Sequence, residues 1–179
     1  MRAWLLILLM CLSLPSGADE IIICYNYGCA AIDTVEFDAN VLNAMHRLLV
    51  RTGNAAEERD ALSLSIGLFE ISAGLQTPTW ADKGGNANDD GVDGRMDCID
   101  ESTNTNNYLL LLEGKGWLRF HRVLAPVMRA PMWFDDHWAA RIVETQSGRE
   151  FAVDSWFFDN GRPAFVAPLE AWRKGAKPE

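Results

Sequence analysis

Apolar residues recur at helical spacing through the first two thirds of this chain, then give way to an aromatic and β-branched texture. Val41, Leu42, Met45, Leu48 and Leu49 fall on one helix face, with Asp38 as N-cap and Gly53 as stop. Asn54 opens a second helix with Glu57 three residues on, as in a capping box. Leu62, Ile66, Phe69 and Ala73 form its apolar side, and Gly74 ends it. Thr77-Pro78-Thr79 breaks the chain, and 84–94, rich in Gly, Asn and Asp, is loop. Asp97 is the N-cap of a third helix that carries Cys98 in its first turn and ends in 109–112. The middle of that helix, 102–107, is a polar run of poor helix propensity. Gly114 and Gly116 close it. The later texture predicts strands over 117–123, 137–143 and 150–157, then a short irregular or helical tail. Helices first and antiparallel strands afterwards make an α+β pattern.

The N-terminus changes what the rest should be. Arg2, an apolar run over 3–14 and the small residues Ser16 and Ala18 are the parts of a secretion signal cleaved after Ala18. That leaves 19–179 as one domain, periplasmic or secreted. The apolar run falls short of the ~20 residues that cross a bilayer, and no later segment reaches that length, so no membrane span is expected after cleavage. A lipoprotein reading would acylate Cys11, but Met10 is bulkier than that processing accepts. Asp and Glu number 25 against 16 Lys and Arg, for a net charge of −9, and losing Arg2 adds one negative unit. Such a surface argues against a nucleic-acid backbone or an anionic membrane as main partner and leaves peptides and small molecules open.

The cysteines bring in the candidate chemistry. Cys24 and Cys29 lie close enough to bridge each other, and two ligands alone are too few for a metal. Cys98 remains as an unpaired thiol, which in an exported chain is flagged as reactive. At a helix start it gains from the positive end of the helix dipole, and its own N–H would face an oxyanion. Asp97, Asp100 and Glu101 oppose a thiolate unless they point elsewhere or are neutralised. His137 and Asp154 supply a base and its orienter. A hairpin turning over 145–148 sets Glu144 against Arg149, which places Asp154 opposite Ala139, on the face of His137 and diagonal to it. The three would form one unit on the floor of a groove between the helical half and the sheet. His46 and His121 read as structural. Trp133, Trp138, Trp156 and Trp172 read as mostly core, with Trp138 or Trp156 able to wall a substrate groove. Asn86-x-Asn88-x-Asp90-Gly91, with Asp97 six residues on, has a calcium-loop spacing, but Asn stands first and Asp97 is shorter than the usual Glu, so a solvated acidic loop is the default.

Asp-Cys-x-Asp opening a helix, His starting a strand, and Asp in Phe151-Ala152-Val153-Asp154-Ser155-Trp156 resemble the bacterial transglutaminase-like cysteine proteinases, of the papain-like and transglutaminase-like fold group. The resemblance covers about 94–160. It implies Cys98 as nucleophile, His137 as general base and acid, and Asp154 as orienter, cutting an amide bond of a protein or peptide through a thioester. Some members hold calcium with acidic residues beside the cysteine; Asp97 and Asp100 match, while Ile99 stands where an acid often follows. No cofactor is expected. The upstream oxyanion donor is open among the N–H groups of Gln76, Trp80 and Asn88. A cell-wall amidase using the same residues, or a silent binding module of the same fold, are the alternatives.

Overall fold

A computed structural model describes residues 18–130 and 136–179; the segment read as a secretion signal, with Cys11, falls outside the described residues up to position 17, as does Trp133. Two strands that the periodicity reading left out come first: β1 (Asp19–Tyr25) and β2 (Ala31–Phe37), an antiparallel hairpin. Their period-2 pattern is present in the residues, since Ile21 and Ile23 are buried while Ile22 between them is 56% exposed. Helices α1 (Ala39–Leu49) and α2 (Ala55–Gly74) follow, started by Asp38 and Asn54 as expected. The Asn54 side chain accepts from Glu57 N at 3.0 Å, and the Glu57 carboxylate reaches back to Gly53 N at 2.6 Å. A 3₁₀ turn, Pro78–Ala81, leads into the loop before α3 (Cys98–Gly114).

The polar run of α3 has a physical reason. Asn104 Oδ1 accepts from Cys24 N at 2.7 Å and its Nδ2 donates to Cys24 O at 2.8 Å, while Asn107 Nδ2 donates to Ile22 O at 3.0 Å. Three residues apart, these amides face the same way and satisfy the free edge of β1. Weak helix formers are kept because they serve as the edge strand's missing neighbours.

The second sheet is an antiparallel meander of β3 (His121–Arg129), β4 (His137–Glu144), β5 (Glu150–Asp154) and β6 (Phe165–Pro168), closed by the short helix α4 (Leu169–Arg173). Two predicted strands are corrected. The first starts at His121 rather than 117, because the buried Glu58 carboxylate takes the N–H groups of Arg119 and Phe120 at 2.7 and 3.0 Å before the ladder begins. Pro126, which has no N–H, coincides with a register shift between Leu124 and Val127. The strand predicted over 150–157 stops at Asp154, and Trp156 and Phe157 lie in the turn beyond it.

One face of the meander, with Ala140, Ile142, Phe151 and Val153, joins the main core of Phe37, Met45, Leu62, Phe69, Tyr108 and Leu109. The other face, with Ala139, Ala152 and Ala167, is covered by Trp172 of α4. The mixed, antiparallel α+β class stands. Among the described residues no helix is long and apolar enough to cross a membrane.

Candidate active site

Cys98 is the first residue of α3, half-buried, with no disulfide; Cys24 and Cys29 are joined to each other. Its position comes from a capping box, in which Asp97 Oδ1 accepts from Ile99 N and Asp100 N at 3.0 and 2.9 Å and Asp100 Oδ2 accepts from Asp97 N at 3.3 Å. Just upstream, Gly94 (φ +84°) passes so close to the 3₁₀ turn that a Cβ there would lie 2.0 Å from Pro78 O. Only glycine fits that crossing.

The hairpin register puts His137 and Asp154 together. Ala140 pairs with Val153, and Glu144 N donates to Arg149 O at 2.8 Å, so Asp154 stands opposite Ala139 on the face of His137. His137 Nε2 and Asp154 Oδ2 are 2.7 Å apart, both buried. The pair lies on the face covered by α4, while α3 packs on the other. Cys98, at the start of α3, interacts with His137 and has its Sγ 3.9 Å from the carbonyl of the preceding residue, Asp136. Burial pulls the pKa of His137 down, but hydrogen bonding to Asp154 and to Cys98, with the charge of both, outweighs it and pushes the pKa up to about 9. With Nε2 held by Asp154, Nδ1 is the nitrogen left for the thiol. The ring sits among Trp156, Phe157 and Trp172 at centroid distances of 4.8, 5.5 and 5.8 Å, surroundings that favour an imidazolium.

Trp172 does more than fill core. Its Nε1–H donates to Asp154 Oδ2 at 2.7 Å, onto the oxygen that also holds His137. Nothing in the periodicity of 169–173 marks that bond. Trp156 flanks His137, whereas the described contacts give Trp138 no such place. His46 lies against Trp117 with ring centroids 4.8 Å apart, and His121 is buried against Glu58 at 2.9 Å.

The three acids around Cys98 are each disposed of. Asp97 Oδ2 accepts from Gly28 N at 3.0 Å, and Asp100 accepts from Tyr27 N and Cys29 N at 2.8 and 2.6 Å. Burial pushes Asp100 up to about 6 against the pull of those amides. Glu101 points into the protein, bonded to Ser155, and burial with the charges of Glu70 and Asp82 raises its pKa well above the carboxylate range. Burial likewise raises Glu70 to about 8 and Asp82 to about 6. Burial thus favours the protonated form of Glu101, and its side chain is directed at Ser155.

The amides on Asp97 and Asp100 come from an unusual turn. Asn26, Tyr27, Gly28 and Cys29 have φ of 66, 64, 63 and 58°, four consecutive left-handed residues. For a residue with a Cβ that conformation costs roughly 1–2 kcal/mol.

All four carboxylate oxygens of Asp97 and Asp100 face N–H donors, so this pair does not fit calcium. Asn86 donates to Asp82 and Asp89, and Asp89 pairs with Arg95 at 2.9 Å, so the 86–91 loop is tied to protein partners and does not converge with Asp97. Of the proposed oxyanion donors, Gln76 N is spent on Ala73 O at 2.9 Å, Trp80 is 71% exposed in the 3₁₀ turn, and Asn88 lies in the exposed loop. The N–H of Cys98, at the first position of its helix, is the orphan donor beside the thiol.

No protein-family model, curated protein or solved structure matches this chain.

Proposed function

We propose that this chain is a thiol-dependent hydrolase that cleaves an amide bond in a protein or peptide, on an α+β domain of the papain-like, transglutaminase-like type. The observation that carries the reading is the buried imidazole of His137, held at Nε2 by Asp154 at 2.7 Å and acted on by the thiol of Cys98. A histidine that keeps its proton to about pH 9 favours the thiolate of a neighbouring cysteine.

The Cys98 sulfur attacks the carbonyl carbon, and the oxyanion lies against the N–H of Cys98. His137 gives its proton to the departing nitrogen as the C–N bond breaks, leaving a thioester. The neutral imidazole then takes a proton from water, whose oxygen displaces Cys98 and releases the acid. Asp154 and Trp172 hold the ring in one tautomer throughout. Export to an oxidising compartment belongs to the same proposal, supported by the Cys24–Cys29 bridge and the leader-like start.

Incubating the chain with a mixed peptide library, and reading new termini by mass spectrometry, tests this. Cleavage that disappears in Cys98→Ala and in His137→Ala is expected. Cleavage that survives Cys98→Ala contradicts it, and binding of peptides with no cleavage in any variant makes the chain a binding module of this fold.

A further inference from the structure

The turn closed by Cys24 and Cys29 touches the candidate site more intimately than a fold staple needs to. Its three successive N–H groups, from Tyr27, Gly28 and Cys29, end on Asp100 Oδ2, Asp97 Oδ2 and Asp100 Oδ1 at 2.8, 3.0 and 2.6 Å. Those carboxylates make the capping box from which Cys98 projects. Asn26 adds a second anchor, donating its N–H to Arg95 O at 2.7 Å and accepting from Gly94 N at 2.8 Å. Lower down, Asn104 of α3 holds both backbone groups of Cys24. The turn is thereby clamped along the first two turns of α3.

Tyr27 and Cys29 have no intrinsic preference for the left-handed conformation they adopt. Within the turn, Ala30 N reaches Tyr27 O only at 3.3 Å. Its two ends are joined twice, by the pairing of Tyr25 with Ala31 at the head of the β1–β2 ladder and by the bond between Cys24 and Cys29, whose Cα atoms lie 4.6 Å apart; of the two, only the bond closes on Cys29 within the left-handed run.

We propose that the Cys24–Cys29 turn is a redox-dependent positioning element for Cys98, which when closed holds Asp97 and Asp100 in amide hydrogen bonds and when opened releases them. The inference rests on the reading of Cys98, His137 and Asp154 as one site. A dithiol reductant opens the turn: its two sulfurs join each other as the Cys24–Cys29 bond breaks, and each freed sulfur takes a proton. The backbone over 26–29 then relaxes toward negative φ, and its N–H groups leave the carboxylates.

Loss of those donors acts on the thiol twice. The first turn of α3 loses its brace, so the Cys98 sulfur is no longer fixed against His137. Asp97 and Asp100 also stand bare beside it. The other charged groups around this turn are Asp93, whose Oδ1 accepts from Asn26 Nδ2 at 3.0 Å, Asp33, which accepts from the Tyr25 hydroxyl at 2.8 Å, His137 on β4, Asp154 behind it on β5, and Arg95 paired with Asp89 in the preceding loop. The Tyr27 hydroxyl is neutral, its pKa pushed up to about 12, and burial favours the protonated form of Glu101. None of these replaces three amide donors, so the opened form disfavours the thiolate.

The test compares the wild-type chain with Cys24→Ser/Cys29→Ser by iodoacetamide labelling between pH 5 and 9, read at the Cys98 peptide by mass spectrometry, with circular dichroism to monitor the fold. The double variant should fold, yet label Cys98 about tenfold more slowly at pH 6, its midpoint moved up by about one pH unit. Wild-type chain reduced with a dithiol and desalted should match it, and reoxidation should restore the original profile. Superimposable profiles for variant and wild type overturn the proposal and leave the Cys98–His137 reading standing. Slow labelling of the oxidised wild type at pH 6 overturns that reading itself, and the proposal with it. Unfolding of both the variant and the reduced wild type also overturns the proposal, because the bridge would then hold the whole fold and not this turn.

Discussion

Replacing Asp154 with Asn changes one charge and almost no volume, and it isolates what holds the proton on His137. In the wild type, burial works against the imidazolium, while the hydrogen bond that His137 donates to Asp154 leads the contributions that raise the pKa from 6.5 to about 9. That rise corresponds to roughly 3 kcal/mol of preference for the protonated ring, at about 1.4 kcal/mol per unit. Without the carboxylate, burial and Cys98 are left opposed, and the midpoint should fall to the ordinary histidine range or below. A histidine whose pKa is raised in the folded state contributes stability that is complete below about pH 6.5 and is lost as pH climbs through 9. Asp154→Asn should therefore cost up to about 3 kcal/mol at pH 6 and much less at pH 10. Titration of the His137 ring proton by NMR, with urea denaturation at pH 6, 8 and 10, measures both. A His137 midpoint unmoved in the variant, or a stability gap that stays constant from pH 6 to 10, would refute the reasoning.

Other substitutions probe the supports. Gly94→Ala would force a Cβ within 2.0 Å of Pro78 O at φ +84°, and should cost about 3 kcal/mol or more in chemical denaturation. Asn104→Ala strips both backbone groups of Cys24 of their partner and should cost about 1–3 kcal/mol, with faster hydrogen exchange confined to β1. Glu70, raised to about 8, keeps in the folded state a proton that the unfolded chain releases near 4.5, so stability should fall as pH rises through that window. Glu70→Gln should flatten the fall, and a melting temperature that climbs from pH 5 to 8 in the wild type would contradict the assignment.

Local signals were legible wherever one residue decides a local event. Asp38, Asn54 and Asp97 all accept backbone N–H groups at the helix starts they were expected to cap. Pairing Glu144 with Arg149 was enough to bring Asp154 to the face of His137, because side chains alternate with period 2. Features set by distant residues were not legible. Glu58 delays β3 from far upstream, and the amides of Asn104 and Asn107 have meaning only once β1 lies beside them. The left-handed turn was hidden for another reason, since tyrosine and cysteine carry no preference for positive φ and only the finished network holds them there. Trp172 looked like core and is core, yet its one N–H completes the Asp154 contact.

The central claim is that Cys98 and His137 form a thiolate–imidazolium pair, and the rate of Cys98 alkylation against pH measures it most directly. In the wild type the rate should hold a plateau down to pH 5–6, well below the midpoint of about 8.5 for a free thiol, and His137→Ala should abolish that plateau. A wild-type profile with the free-thiol midpoint, unchanged by His137→Ala, would contradict the account.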